Sequence, residues 1–208
     1  MPFSDNLLNK LVAPGISELK RGSVPDLMSR FPHCTHWVEI FLLNAFIGAT
    51  LVGTTRAVVL NFLRRVENAF LEYTEARRNL NAYTRGSRQA VSKYFSAVLH
   101  FEHSIAMTYQ ASMLMRDFYP GQKFFEKGDQ SPLQRLNELY NHTKHVDSIL
   151  ASGQLSDGYS IPLWISNTGL HCSVCSLTFA ELADILGVLA ANADRLYAPC
   201  LKRDKPGN

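Results

Sequence analysis

The stretch LNELYNHTKH, from Leu136 to His145, holds the residues whose types and spacing could do chemistry. His145 offers an imidazole that exchanges protons near neutral pH. Lys144 offers a positive charge, and Asn141 can both donate and accept a hydrogen bond. At about 100 degrees per residue, Asn141 and His145 are neighbours on one side of a helix, together with Asn137 and Ser148. Leu136, Leu139, Val146 and Leu150 fall on the other side, so the helix is amphipathic. The polar side either lines a site or is an ordinary solvated or dimer-facing surface.

Three other groupings invite comparison. Cys172 and Cys175 form a CxxC, for which His171, His33, Cys34 and His36 are conceivable further zinc ligands. On a strand, residues three apart project to opposite faces unless a turn intervenes, so the expectation is no metal and small core cysteines. His100 and His103 flank Glu102, but HFEH lacks the Glu-x-x-His order of carboxylate-bridged diiron bundles. From Arg56 to Lys93, the cations Arg56, Arg64, Arg65, Arg77, Arg78, Arg85, Arg88 and Lys93 face only Glu67, Glu72 and Glu75. That interval is a candidate anion-binding surface or a solvated helix face laced with ion pairs.

The elements that must position these residues are mostly helical. Prolines and glycines at Pro14, Gly15, Gly22, Pro25 and Pro32 predict an irregular N-terminal arm over 1–34, with a short helix from Asp5 to Val12. Helical spacing from Thr35 to Asn79 predicts one very long helix or two collinear ones, bending at Gly48 or Gly53. A turn near Arg85 and Gly86 leads to a second long helix, Ser87 to Phe118, completing an antiparallel hairpin. Ser131, Pro132 and Gln134 open a third helix through a capping box, and Gly153 stops it. The chemistry-bearing stretch then lies mid-helix. Ser160 to Ser166 and Leu170 to Leu177 predict a β-hairpin, and Thr178 with Glu181 caps a last helix ending near Leu196. We expect a single all-α domain over 35–198 with that small hairpin before its last helix, and a polar tail over 199–208.

Tyr140, Asn141 and His145 reproduce the spacing of the RNxxxH form of the R-x4-6-H motif, with Tyr140 where the arginine would stand. In this motif and in its long helical hairpin followed by a motif-bearing helix, the chain resembles HEPN domains, which are helical RNA-cleaving or RNA-binding modules. The order YNHTKH is also similar to a variant in uncharacterised bacterial HEPN-like proteins. A second alignment takes Arg135 and His142 as a literal R-x6-H. The resemblance implies metal-independent RNA cleavage or RNA binding across a homodimer, in bacterial stress, toxin or defence. His145 would be the general acid or base at a ribose 2′-hydroxyl. Asn141 would orient it or the phosphate by hydrogen bonding, and Tyr140 could donate a hydrogen bond. Lys144, aided by Arg135, would stabilise the phosphorane-like transition state. Arg135, His142, Arg77, Arg78, Arg85 and Arg88 are then the candidate RNA-binding residues, and no cofactor is required. The other reading is a noncatalytic dimeric helical module that engages a protein partner.

Composition bounds these readings. In 208 residues, 46% are hydrophobic and 19% charged, a globular balance rather than a disordered one. A formal charge of +3 and a pI near 8.7 permit a polyanionic partner without demanding one. The most apolar run, Ile40 to Gly53, is short of the roughly 20 residues of a membrane span and contains Asn44. Residues 1–15 lack the pattern of a secretory leader, and four cysteines suit free thiols. The expected location is therefore cytoplasmic, with no membrane partner.

Overall fold

The computed structural model describes residues 5–46, 53–85, 91–119, 121, 123–153, 155 and 159–197. Its centre is a pair of long helices, α3 (Gly53–Arg85) and α4 (Val91–Met115). They pack along most of their length, with residue 65 beside 110, 72 beside 100 and 83 beside 94, so they run antiparallel. Small residues line the seam. Ala69, Ala76, Ala97, Ala111, Ser104 and Ser112 are buried there, and the Ser104 hydroxyl donates to the Ala69 carbonyl at 2.9 Å. A hydroxyl reaching a backbone carbonyl of the facing helix requires close approach, which these small side chains permit. Phe62, Phe70, Tyr73, Tyr83, Tyr94 and Phe101 fill the remaining space as fully buried rings.

The segment expected as one very long or two collinear helices is two helices that are not collinear. The first, α2 (Trp37–Phe46), begins beside the middle of α3, because the Val38 N–H donates to the Glu67 carboxylate at 2.7 Å. Glu67 thus caps α2 from another helix, satisfying an N–H that the helix itself cannot. Trp37 is buried and donates its indole N–H to Asp194 at 2.7 Å. Burying that ring between α3 and the last helix folds α2 back, which the local spacing could not specify. Gly48 lies outside the described residues; Gly53 starts α3 with φ +63.

The N-terminal segment, with α1 (Asp5–Leu11) and a 3-10 turn at Ile16–Glu18, contributes Leu8, Ala13, Ile16, Leu19, Val24, Leu27 and Cys34 to the common core. Its backbone is irregular, yet it is fastened. Tyr73 donates to the Pro25 carbonyl at 3.3 Å, and Arg77 donates to the Val24 carbonyl at 3.2 Å while pairing with Asp26 at 3.3 Å.

After α4 and a 3-10 turn at Arg116–Phe118 come α5 (Pro132–Lys144), α6 (Val146–Ala151), three short strands and α7 (Phe179–Tyr197). Ser131 accepts the Gln134 N–H at 3.2 Å as expected of an N-cap, whereas the Gln134 side chain returns to the Gln130 N–H rather than to that of Ser131. The Thr178–Glu181 box is complete: Glu181 N–H to Thr178 Oγ1 at 3.1 Å and Thr178 N–H to Glu181 Oε2 at 2.9 Å.

The expected hairpin is a three-stranded antiparallel sheet, β1 (Trp164–Ile165), β2 (Gly169–His171) and β3 (Ser176–Thr178), in that order. The segment Leu170 to Leu177, expected as one strand, turns back on itself between Cys172 and Cys175. Gly169 is obligatory where β2 meets β3, since a Cβ there would stand 2.2 Å from the Leu177 carbonyl oxygen. The fold is therefore mostly helical with a small sheet.

Candidate functional site

The motif-bearing helix does not run unbroken to Ser152. It ends at Lys144, and His145 takes φ −113 and ψ 35 between α5 and α6. No proline or glycine marks this break, and the buried face changes across it. Leu136 and Leu139 are fully buried, but the inward position after the break is Ile149, at 6% exposure. Val146 and Leu150, expected on the same inward side, are 37% and 55% exposed. Ile149 lies about 80 degrees around an ideal helix from Leu139, whereas Val146 and Leu150 lie within about 20 degrees of it, so the buried face turns away from the Leu139 line after the break. The change of direction at His145 accompanies that turn.

Asn141, Lys144 and His145 are all exposed around this break. The His145 N–H still donates to the Asn141 carbonyl at 3.0 Å, which keeps the two residues on adjacent turns. The Asn141 amide contacts only Asn137, at 3.3 Å, and the His145 imidazole has no hydrogen-bond partner among the described residues. The Lys144 ammonium lies 5.8 Å from the centre of the Tyr140 ring. That ring is half-buried and stacks on Tyr109 of α4, centroid to centroid 4.6 Å with 22° between planes. Tyr140 therefore fixes α5 to α4 and carries Lys144 on its surface.

The other candidates behave differently. Arg135 donates to the Gln130 carbonyl at 3.1 Å and to the Ser176 carbonyl at 2.9 Å, and it pairs with Glu181. Its guanidinium joins α5, β3 and α7 from the inside. His142 is half-buried, with Nδ1 3.1 Å from the Glu138 carbonyl and Nε2 3.4 Å from the Ser173 hydroxyl. The literal R-x6-H pair is thus held against the sheet, apart from the exposed face carrying Asn141. Arg77 is engaged with Val24 and Asp26, and Arg78 is paired with Glu75. Arg85 is exposed at the end of α3, and Arg88 lies outside the described residues.

A neighbouring groove carries no signal in the local sequence. A cavity of about 480 Å³ opens between α3 and α4, and its lining includes Asn61, Arg65, Tyr109, Gln110, Arg116 and Asp117. Through Tyr109, which also lines this cavity with Arg65 and Arg116, it adjoins the Tyr140 ring under Lys144. Arg65 is steadied by Gln110 at 2.8 Å and Asn61 at 3.3 Å. Only the packing of α3 on α4 brings residues from these separate stretches to one place.

The sulfur and imidazole clusters also acquire geometry. A tight turn does intervene in the CxxC, contrary to the expectation of opposed faces: the Cys172 N–H donates to the Cys175 carbonyl at 2.9 Å, and the sulfurs are 3.4 Å apart. His100 approaches Glu72 at 2.6 Å and His103 approaches the same oxygen at 3.6 Å. Among the described residues, no three His, Cys, Asp or Glu side chains converge as a metal site. No helix among them is long and apolar enough to cross a membrane.

Comparison with protein-family models, with curated proteins and with solved structures finds no match to this chain.

Proposed function

We propose that this protein is a HEPN-like RNA-engaging module that binds RNA at the α5–α6 junction and cleaves it without metal where two copies bring their junctions together. The observation carrying this reading is that Asn141, Lys144 and His145 stand together in solvent while Arg135 and His142 of α5 are engaged with internal partners. Exposure leaves His145 able to accept a proton from a ribose 2′-hydroxyl or to return one to the leaving oxygen. Asn141 is placed to orient the phosphate. Lys144 supplies charge as a compact ammonium, without the two-pronged geometry of the absent arginine.

The test is RNA affinity measured against salt concentration by fluorescence anisotropy on a single-stranded RNA oligomer. Lys144→Ala should weaken binding by roughly tenfold and shrink the log–log salt slope by about one ion. Wild-type protein that ignores RNA at low salt overturns the proposal.

A second reading, a noncatalytic module that pairs with another protein, draws on a different surface. Leu42, Leu43 and Phe46 of α2 are 51%, 57% and 90% exposed. Such an apolar cluster suits a protein contact better than a nucleic acid. Glu substitutions at Leu43 and Phe46 that abolish self-association without changing RNA affinity would assign partner binding to α2 alone.

A further inference from the structure

Cys172 and Cys175 face each other across the two-residue turn Ser173–Val174 that joins β2 to β3. The turn is closed by the Cys172 N–H to Cys175 carbonyl bond, and the sulfurs stand 3.4 Å apart. A disulfide needs about 2.05 Å, so closure asks for a movement of about 1.4 Å within a turn. Val174, at the tip, is 65% exposed, which places the turn at the surface.

The two sulfurs are not equivalent. Cys172 is lowered to about 6 by the hydrogen bond from the Cys175 thiol; burial opposes this, while the Val174 and Cys175 N–H groups and nearby His142 favour the thiolate. Cys175 is pushed up by that same bond to Cys172, by burial, and by the negative charges of Cys172 and Glu138. The Cys175 sulfur also approaches the Arg135 carbonyl at 3.6 Å. One thiolate beside one thiol, with no third metal donor converging among the described residues, is the arrangement of a redox pair rather than a closed metal site. Cys34 offers the contrast: it is fully buried beside Met28, and burial raises it to about 11.

We propose that Cys172 and Cys175 are a reversible dithiol–disulfide site that reacts with small hydroperoxides. The Cys172 sulfur attacks the outer peroxide oxygen. The O–O bond breaks, an alcohol or water leaves with a proton, and Cys172 becomes a sulfenic acid. The Cys175 sulfur then attacks the Cys172 sulfur; the S–S bond forms, and the departing hydroxide takes the Cys175 proton to leave as water. The two thiols lose two electrons, which reduce the peroxide. Cys172 is 5% exposed, which favours a peroxide over a bulky disulfide as oxidant. Cys175 is less buried and is the sulfur that a reducing thiol attacks to reverse the reaction. The hydrogen bond from Arg135 to the Ser176 carbonyl ties β3 beside Cys175 to the start of α5, the helix that carries Asn141.

The experiment uses the full chain with Cys200→Ser, treated with hydrogen peroxide and read by thiol counting and peptide mass mapping. Loss of two thiols and two hydrogens, in a peptide joining Cys172 to Cys175, is expected at least about tenfold faster than oxidation of Cys34. Dithiothreitol should reverse it. In Cys175→Ser, dimedone should trap a sulfenic acid at Cys172; in Cys172→Ser it should trap none at Cys175. Peroxide that leaves both thiols intact, or that oxidises Cys34 first, overturns the proposal. So does wild-type protein purified with one equivalent of zinc that Cys172→Ser abolishes.

Discussion

The two ends of α5 make opposite use of polar side chains. Near its start, Gln134 is buried and Arg135 binds two backbone carbonyls and Glu181, so each donor completes the fold. At its finish, Asn141, Lys144 and His145 face solvent around a break in the helix. Both ends are rich in the residue types that nucleic-acid binding uses. The difference is commitment: a cation whose hydrogens are spent on internal carbonyls cannot release them to a phosphate without loosening the fold.

The sharpest way to break that comparison is to unseat the sheet that anchors the committed end. Gly169→Ala should cost about 3 kcal/mol in chemical denaturation, since its Cβ would overlap backbone on β3 and no side-chain adjustment relieves that. Arg135→Ala should cost about 2 to 3 kcal/mol by the same measurement, because it leaves Glu181 and two carbonyls without their partner. An Arg135→Ala protein of unchanged stability would show that this end is not structural.

Glu102 on α4 sharpens the comparison from a third position. It is a half-buried carboxyl with no hydrogen-bond partner among the described residues, and burial raises it to about 7. The folded chain therefore holds a proton that the unfolded chain gives up near 4.5, so Glu102 makes stability fall as pH rises from about 4.5 to about 7, with no further loss above. Glu102→Gln should gain about 2 kcal/mol at pH 8 and nothing at pH 4, read from melting across that range. The smallest effect belongs to the exposed end: His145→Ala and Asn141→Ala should each change stability by less than about 0.5 kcal/mol.

Much of the scaffold was legible because it rests on local signals. The caps at Ser131 and Thr178 and the long α3–α4 pair follow from residue types at fixed offsets. Three features were not legible from local spacing. The fold-back of α2 depends on Glu67 and Asp194 receiving Val38 and Trp37. At the break by His145, Ile149 is buried and Val146 is exposed, the reverse of what helical spacing from Leu139 suggests. The turn inside Leu170–Leu177 carries no glycine, proline, asparagine or aspartate, so strand-like residues hid a reversal that only strand pairing reveals. At the site, the spacing of Asn141 and His145 was readable, while the committed state of Arg135 required its partners 41 and 46 residues away.

Cleavage of a mixed single-stranded RNA pool in EDTA, comparing wild type with His145→Ala and analysing the ends, tests most directly whether the α5–α6 junction is the functional face. The wild type should give products ending in 2′,3′-cyclic phosphate, and a His145→Ala protein that melts at the wild-type temperature should give none. A wild-type protein that neither cuts nor binds RNA, or a His145→Ala protein as active as the wild type, would contradict it.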